Sequence, residues 1–407
     1  MYSALYTAII FILIHVLAFF NFIGFVPEKV KRFFLERRHA QLPQKGKTIY
    51  WIHASSLGEY EMALPIIREL IKNGINKGDL LITFFSSSGY KQAVKGEYAE
   101  RIMYLPLDNK SSVKQFYKDY SPEKALFIRY DLWYNLILEG IKNQTQFYLV
   151  NARFTENHFI FNWYGNPYAK LLWSFNRIFC SDQNSHKLLL SKEFTNTSYT
   201  GDTRFDRVSQ IAAEAKTYNS ISTFKGFRKL MLLGSSWQEE EELLAKLVGK
   251  VPSGLCYIIA PHDISRSLEI SEKFNQYQPK LYTEDIFAAE DSILILDTIG
   301  MLSSVYQYAD FAFIGGGFRG ALHNILEPAI WGCHISFGPK VEKFPEASDF
   351  VNAGFALSVS NESDWIQEII QLSEENDRLD QIKKTATSFV SENMGVVQKM
   401  MPEITQS

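Results

Sequence analysis

Asp310-Phe311-Ala312-Phe313-Ile314-Gly315-Gly316-Gly317, with His323-Asn324-Ile325-Leu326-Glu327-Pro328-Ala329 just beyond it, decides the kind of fold expected here. The apolar run at its start reads as a buried strand, the glycines allow backbone to approach a ligand closely, and His323 onward reads as a polar helix entry. A helix start presents free N–H groups suited to a phosphate. Glu327, about one turn in, is placed to accept hydrogen bonds from ribose hydroxyls. The arrangement suggests a nucleotide-sugar site, although an ordinary capped strand–turn–helix has the same pattern.

The same unit recurs along the chain. Strand candidates Thr48–His53, Leu80–Phe85, Arg101–Tyr104, Lys124–Ile128, Phe147–Val150 and Ile178–Cys180 alternate with helical periodicity at Glu59–Lys72, Val113–Tyr120 and Tyr168–Phe175. The alternation restarts after Asp206, with strands at Leu230–Leu233, Tyr257–Ile259, Ile293–Leu296, Phe311–Ile314 and Ile335–Phe337. Helices are expected there at Glu239–Val248, Leu302–Tyr308 and Asn324–Trp331. Repeated strand–helix–strand units predict parallel sheets, and the polar run from Ser209 to Phe227 reads as the linker between two of them. The expected fold is α/β: two Rossmann-like, doubly wound parallel-sheet domains, 28–208 and 209–385, followed by a helical segment, 386–407. Facing across a cleft, such domains bind ligands at the carboxyl ends of their strands. That is the GT-B layout, and the pattern alone also suits an epimerase or a two-domain dehydrogenase.

From Ala4 to Val26 the chain has no charged residue and is nearly all apolar. As a helix this run would be roughly 35 Å long, enough to cross a bilayer, so 1–27 is expected to be a membrane-anchor helix. No basic segment precedes the run, and Phe22-Ile23-Gly24-Phe25 lacks a small-x-small site, which argues against a cleaved signal peptide. Lys29, Lys31, Arg32, Arg37, Arg38, Lys45 and Lys47 follow, against only Glu28 and Glu36. The positive-inside bias then predicts cytoplasmic domains and an N-terminus on the outer side. A net charge of −3 over 407 residues gives no general nucleic-acid footprint, so anionic lipid headgroups are the expected partners of the basic cluster. Cys180, Cys256 and Cys333, odd in number and far apart, fit a reducing compartment and neither a disulfide frame nor a zinc site.

The first expected strand runs into Trp51-Ile52-His53-Ala54-Ser55-Ser56-Leu57-Gly58-Glu59, which places a carboxylate at the start of a helix. Glu59 there is suited to act as general base for a sugar hydroxyl, or simply to favour the helix dipole. His53-Ala54-Ser55-Ser56-Leu57-Gly58-Glu59 resembles the HxxSxGE motif of the Kdo transferases, membrane-anchored GT-B enzymes that move 3-deoxy-D-manno-octulosonic acid (Kdo) from CMP-Kdo to a lipid A precursor. The likeness continues in order. Tyr104-Leu105-Pro106-Leu107-Asp108 resembles YLPxD, Asn151-Ala152-Arg153 resembles NAR, and Gly201-Asp202-Thr203-Arg204-Phe205-Asp206 resembles G-x-x-K-F-D. Ser235-Ser236 with Glu239 to Glu242, Asp297-Thr298-Ile299-Gly300, Gly315-Gly316-Gly317, His323 to Glu327 and Gly338-Pro339 complete the series.

The resemblance implies an inverting, metal-independent glycosyltransferase without a cofactor, acting on a CMP-Kdo donor and a lipid A precursor (lipid IVA) at the cytoplasmic face of the inner membrane. Glu59 would be the general base, and Arg204, in place of a family lysine, would keep a cation for the Kdo carboxylate or the leaving phosphate. The CMP pocket would comprise Ser235, Ser236, Pro261, His262, Ile299, Gly300, Met301, Gly316, Gly317, His323, Asn324, Ile325, Leu326 and Glu327. The chain departs from the family in places. Ile128-Arg129-Tyr130-Asp131-Leu132-Trp133-Tyr134-Asn135 stands where many members have Met-Glu-Thr-Glu-Leu-Trp-Pro-Asn, so a glutamate assigned to transition-state stabilisation is Arg129. Three roles fit this change: Asp131 takes over the carboxylate role, Arg129 binds the donor carboxylate directly, or Arg129 is a plain surface or packing residue. Pro261-His262-Asp263 replaces Pro-Arg-His, with Arg266 a possible substitute for the lost arginine, and Met301 replaces a glutamate. The rival expectations are another GT-B enzyme using a UDP-sugar, whether transferase or epimerase, and a non-catalytic membrane-anchored relative.

Overall fold

The computed structural model describes residues 6, 7, 12, 16, 27–251, 254–284 and 287–406. The chain forms two compact units, Met1–Arg207 with Gly395–Ser407 (unit 1) and Val208–Met394 (unit 2).

Unit 1 is built on strands β1 (Thr48–His53), β2 (Leu80–Phe84), β3 (Arg101–Tyr104), β4 (Pro122–Ile128), β5 (Gln146–Ala152), β6 (Arg177–Cys180) and β7 (Thr197–Tyr199). They lie in the order β3-β2-β1-β4-β5-β6-β7, and every pairing is parallel. Because helices cover both faces, β2 and the Ala125–Ile128 part of β4 are near-continuous apolar runs rather than alternating ones. Alternation along β1 still divides the core, with Trp51 packing in the layer of Phe116, Phe127 and Phe147 and its neighbours Tyr50 and Ile52 in the opposite layer. Helix Leu57–Lys72 contributes Tyr60, Ala63, Leu64, Ile67 and Leu70, spaced to form one buried stripe, to that second layer.

Unit 1 also takes in a distant piece of chain. Helix Val396–Thr405 buries Val396, Val397, Met400, Met401 and Ile404 in the same layer. Its start is fixed by the Asp206 carboxylate, which accepts the N–H groups of Gly395 at 2.6 Å and Val397 at 2.7 Å. At its far end the buried Lys124 ammonium donates to the carbonyls of Ile404 (2.8 Å) and Gln406 (2.7 Å), satisfying groups that a helix terminus leaves open.

The expected anchor, 1–27, lies almost wholly outside the described residues; among those described, no helix is long and apolar enough to cross a membrane. The basic helix that follows it, Glu28–His39, is fastened to unit 1 by Arg37, which donates to the carbonyls of Leu105 (2.7 Å) and Phe85 (2.9 Å).

Unit 2 repeats the architecture with β8 (Lys229–Ser236), β9 (Leu255–Pro261), β10 (Lys280–Leu281), β11 (Ile293–Ile295), β12 (Phe311–Ile314), β13 (His334–Phe337) and β14 (Ala356–Ser358). The order is β10-β11-β9-β8-β12-β13-β14, again parallel throughout. Strand order therefore reverses at β1 in one sheet and at β8 in the other, the switch point where such sheets bind ligands. The polar run expected as a linker is folded instead. It holds the end of helix Arg204–Ala213 and then helix Asn219–Lys225, whose Ile221 and Phe224 are fully buried. The helix expected over Asn324–Trp331 is reduced to Leu326–Ile330.

Candidate active site

At the switch point of unit 1, β1 ends in His53, paired across the sheet with Thr83 and Phe127. His53 is completely buried, with Nδ1 2.9 Å from Thr83 Oγ1 and Nε2 2.8 Å from Asp131 Oδ2. An ionised carboxylate only accepts, so Nε2 bears the proton and, in the neutral ring, Nδ1 accepts from the Thr83 hydroxyl. That hydroxyl in turn accepts from Trp51 Nε1 at 2.8 Å. Asp131 Oδ2 also receives the Ser55 hydroxyl and the Trp133 indole N–H, the latter at 2.9 Å. Burial by itself would raise the Asp131 carboxyl, but the His53 hydrogen bond and charge, with Ser55 and Trp133, hold it below the ordinary range.

Glu59, the third residue of helix Leu57–Lys72, folds back so that Oε2 accepts the Ser55 N–H. Burial first, and the charge of Asp131 second, raise its carboxyl above the usual glutamate range, against opposing contributions from Ser55, His53 and Arg129. Two neighbouring carboxyls are thus driven apart: Asp131 is held ionised and Glu59 is made a stronger base.

Arg129, just past the end of β4, has a left-handed conformation, φ 66°, with its N–H on the Val150 carbonyl at 2.7 Å. A left-handed backbone of this kind is strained for a residue other than glycine. Its positive charge acts on both Glu59 and Asp202. Asp202 receives Arg204 Nε at 2.9 Å and Nη2 at 2.8 Å, and the Arg204 backbone N–H at 2.9 Å. Asn151, itself left-handed at φ 54°, locks this turn to the sheet by donating to Asp202 (3.2 Å) and Thr203 Oγ1 (2.8 Å) and accepting the Thr203 N–H (3.1 Å). Burial would raise Asp202, and the Arg204 and Arg129 charges overcome it, so this carboxylate stays ionised. Glu59, Arg129, Asp131 and Arg204 therefore belong to one electrostatically linked set at the carboxyl ends of β1, β4 and β5 and the start of the helix after β7.

In unit 2 a cavity of about 600 Å³ opens at the carboxyl ends of β9 and β11, lined by Pro261, His262, Ile299 and Gly300 among others. The His262 ring stacks on Trp237 at 4.3 Å and lies 4.8 Å from the His323 ring. On the other side the Arg319 guanidinium sits 4.4 Å from the Trp237 ring centroid and pairs with Glu239 at 2.8 Å. Desolvation and the neighbouring His262 lower the His323 imidazole. Asn324 and Glu327 are joined by an amide-to-carboxylate bond of 3.0 Å, while Ile325, Leu326 and Met301 are buried.

The glycine turn closes tightly on the protein's own backbone. A Cβ at Gly315 would lie 2.0 Å from the Ser235 carbonyl, at Gly316 2.2 Å from that of Ala321, and at Gly317 2.5 Å from the Gly338 nitrogen. The missing side chains make room for the protein's own backbone. Ser235, at φ 53°, and Ser236 support this packing from the end of β8, and Ser236 donates to Glu241 at 3.1 Å. The fully buried Glu241 also takes both arms of Arg266, at 2.9 and 2.8 Å, so the arginine considered as a nucleotide ligand is engaged within the protein. Beside it the buried Glu240 accepts the N–H groups of Trp237 (2.8 Å) and Gly316 (3.1 Å). His53, Trp133, Asp202, Trp237 and Arg319 were not singled out from the sequence. The first three stand inside or at the edge of quoted motifs, whereas Arg319 carries no local signal. Among the described residues no cluster of histidine, cysteine and carboxylate side chains is arranged to hold a metal ion.

Solved structures share this architecture. UDP-GlcNAc 2-epimerase from Neisseria meningitidis, bound to UDP-GlcNAc, aligns with a TM-score of 0.62 at 15% identity, covering 88% of this chain and 99% of the other. A putative UDP-N-acetylglucosamine 2-epimerase from Listeria monocytogenes gives 0.60 at 12% identity, covering 89% and 98%. Such likeness is one of fold, and it is the GT-B fold. Residues 29–207 match the family model described as 3-Deoxy-D-manno-octulosonic-acid transferase (kdotransferase). The 3-deoxy-D-manno-octulosonic acid transferase of Rickettsia typhi is 24% identical over 378 residues, covering 90% of this chain and 80% of the relative. That of Aquifex aeolicus is 25% identical over 366 residues, covering 85% and 90%. The chain is a glycosyltransferase. Most of its first unit matches the Kdo transferase family model, and its similarity to curated Kdo transferases runs through both units.

Proposed function

We propose that the protein transfers Kdo from CMP-Kdo to a hydroxyl of a lipid A precursor, lipid IVA, with inversion at the anomeric carbon, at the cytoplasmic face of the inner membrane. Glu59 takes the proton of the attacking hydroxyl. Its raised proton affinity suits a base working near neutral pH. As the new C–O bond forms, the bond to CMP breaks and its electron pair leaves on the phosphate. Arg129 is a cation whose charge acts on the base, and among the described residues it makes no side-chain hydrogen bond, so we assign it to the donor carboxylate. Arg204, held by Asp202, supplies a fixed positive charge for the leaving phosphate. On unit 2 the CMP moiety would occupy the cavity bounded by Pro261, His262, Ile299 and Gly300, with the Asn324–Glu327 pair toward the ribose.

The observation that supports this reading best is Glu59, a half-buried carboxylate of raised proton affinity, on the strand–turn–helix of the segment matched by the family model. The test is an assay of purified protein with CMP-Kdo generated in situ and lipid IVA, followed by mass spectrometry, together with calorimetry of CMP and UDP. Product heavier by one or more Kdo residues and a preference for CMP are expected. A preference for UDP with no Kdo product would replace this reading by a UDP-sugar enzyme.

A further inference from the structure

Glu59, Arg129 and Arg204 stand on three different pieces of chain, and one buried hydroxyl ties those pieces together. Thr203, fully buried, donates its hydroxyl hydrogen to the Met62 carbonyl at 2.7 Å and accepts the Asn151 side-chain N–H at 2.8 Å. Its backbone N–H goes to the Asn151 amide oxygen at 3.1 Å. Met62 lies on the helix of Glu59, three residues further on, which is about 4.5 Å along the axis and on nearly the same face. Asn151 directly follows Val150, whose carbonyl receives the Arg129 N–H, and Arg204 is the next residue after Thr203. A single side chain thereby joins the base helix, the end of β5 and the turn that presents Arg204.

The base helix receives this support where its own bonding is weakest. Pro65 offers no N–H to the Glu61 carbonyl, so the turn over residues 61–65 lacks one internal bond. Two bonds from the segment 201–207 land on that turn: Thr203 on the Met62 carbonyl, and Arg207 Nε on the Glu61 carboxylate at 2.6 Å. The segment is fixed from its other side by Asp206, through the N–H groups of Gly395 and Val397. A hydroxyl has one hydrogen to give, and Thr203 gives it to Met62 in a site closed to solvent. Nothing is left over for a substrate, so what Thr203 governs is where the neighbouring charges stand.

The geometry points to Thr203 as a positioning residue for the transfer. Its hydroxyl, backed by the Glu61–Arg207 pair, holds the helix bearing Glu59 in register with the turn bearing Arg204. This rests on the roles given above to Glu59 and Arg204. Displacing reacting groups by about 1 Å can cost on the order of a hundred-fold in rate, so a bond remote from the reacting atoms can be read in turnover.

Thr203→Val keeps the shape and loses the hydroxyl, whereas Thr203→Ser keeps the hydroxyl. Both are compared, in the full-length protein, with Arg204→Ala and with Thr203→Val combined with Arg204→Ala. The assay uses CMP-Kdo generated in situ and lipid IVA, at a temperature where circular dichroism shows each variant folded. Thr203→Val should lower kcat by about ten- to a hundred-fold, with calorimetric CMP affinity within about three-fold of the parent's, and Thr203→Ser should recover most of the loss. The double variant should be little slower than Arg204→Ala alone, because a hydroxyl that acts by placing a cation has nothing left to place. Parental kcat in Thr203→Val, equal impairment of the serine and valine variants, or losses that multiply in the double variant would each overturn the proposal. If Arg204→Ala is itself harmless, the cation assignment fails and takes the proposal with it. A damaging Arg204→Ala beside a harmless Thr203→Val overturns the positioning alone. Should Thr203→Val not fold, Glu61→Gln takes its place in the same cycle, with a loss of a few-fold expected and parental turnover overturning the proposal.

Discussion

His53 Nε2 and Asp131 Oδ2 lie 2.8 Å apart, so the imidazole that closes β1 and a carboxylate beyond the end of β4 are a single hydrogen-bonded unit beside Glu59. The Asp131 charge raises the proton affinity of Glu59, after burial the largest cause. Asp131→Asn removes the charge and keeps the shape. Since the base works deprotonated, the rising acid limb of the pH–turnover profile should move to lower pH in this variant. An unmoved limb, or one displaced upward, would separate Asp131 from the base.

Glu59→Gln should leave folding and CMP affinity near those of the parent while lowering turnover by about two orders of magnitude or more, the scale of a lost general base. Single-turnover kinetics on a variant with parental melting behaviour would decide. Turnover close to the parent's would remove Glu59 from the reaction.

Arg129→Ala should impair Kdo transfer more than CMP binding, because CMP has no carboxylate to lose. Arg129→Glu should not rescue it, since a third carboxylate would join Glu59 and Asp131 and repel an anionic donor. If Arg129→Glu proves as active as the parent, the donor-carboxylate assignment fails.

Arg266→Ala should act mainly on stability. It leaves Glu241, fully buried, without its bidentate partner, and breaking such a pair costs about 3 to 5 kcal/mol. Denaturant unfolding should show the loss with no CMP present. A stable variant that had lost only CMP affinity would point back to a direct nucleotide contact.

Glu327→Ala should weaken CMP binding by roughly 1.5 to 3 kcal/mol if its carboxylate meets the ribose. The variant also frees the Asn324 amide, so its melting temperature must be measured alongside. Unchanged calorimetric affinity in a variant melting like the parent would exclude the ribose contact.

The central strands were legible because each is an apolar run bounded by turn residues. The edge strands β7, β10 and β14 were not, being as short as Lys280–Leu281 and half polar. Polar neighbours likewise hid Ile221 and Phe224, whose burial turns the expected linker into a packed helix. Glu59 could be picked out because its motif is contiguous. Its relation to His53 and Asp131 could not, since those residues are 78 positions apart and meet only when β1 and β4 pair. The glycine turn shows the converse limit: a flexible sequence reveals that something comes close, and only the packing shows that it is Ser235, Ala321 and Gly338.

The return of helix Val396–Thr405 to unit 1 bears on how the chain is made. During synthesis the β1, β4 and β5 strands emerge early, yet the apolar layer closed by Val396, Met400 and Ile404 stays uncovered until all of Val208–Met394 has left the ribosome. Unit 2 is contiguous and can fold as it appears. Unit 1 must wait for it, holding an unfinished hydrophobic face in the meantime, which makes that interval the stage at which a nascent chain has most need of a chaperone.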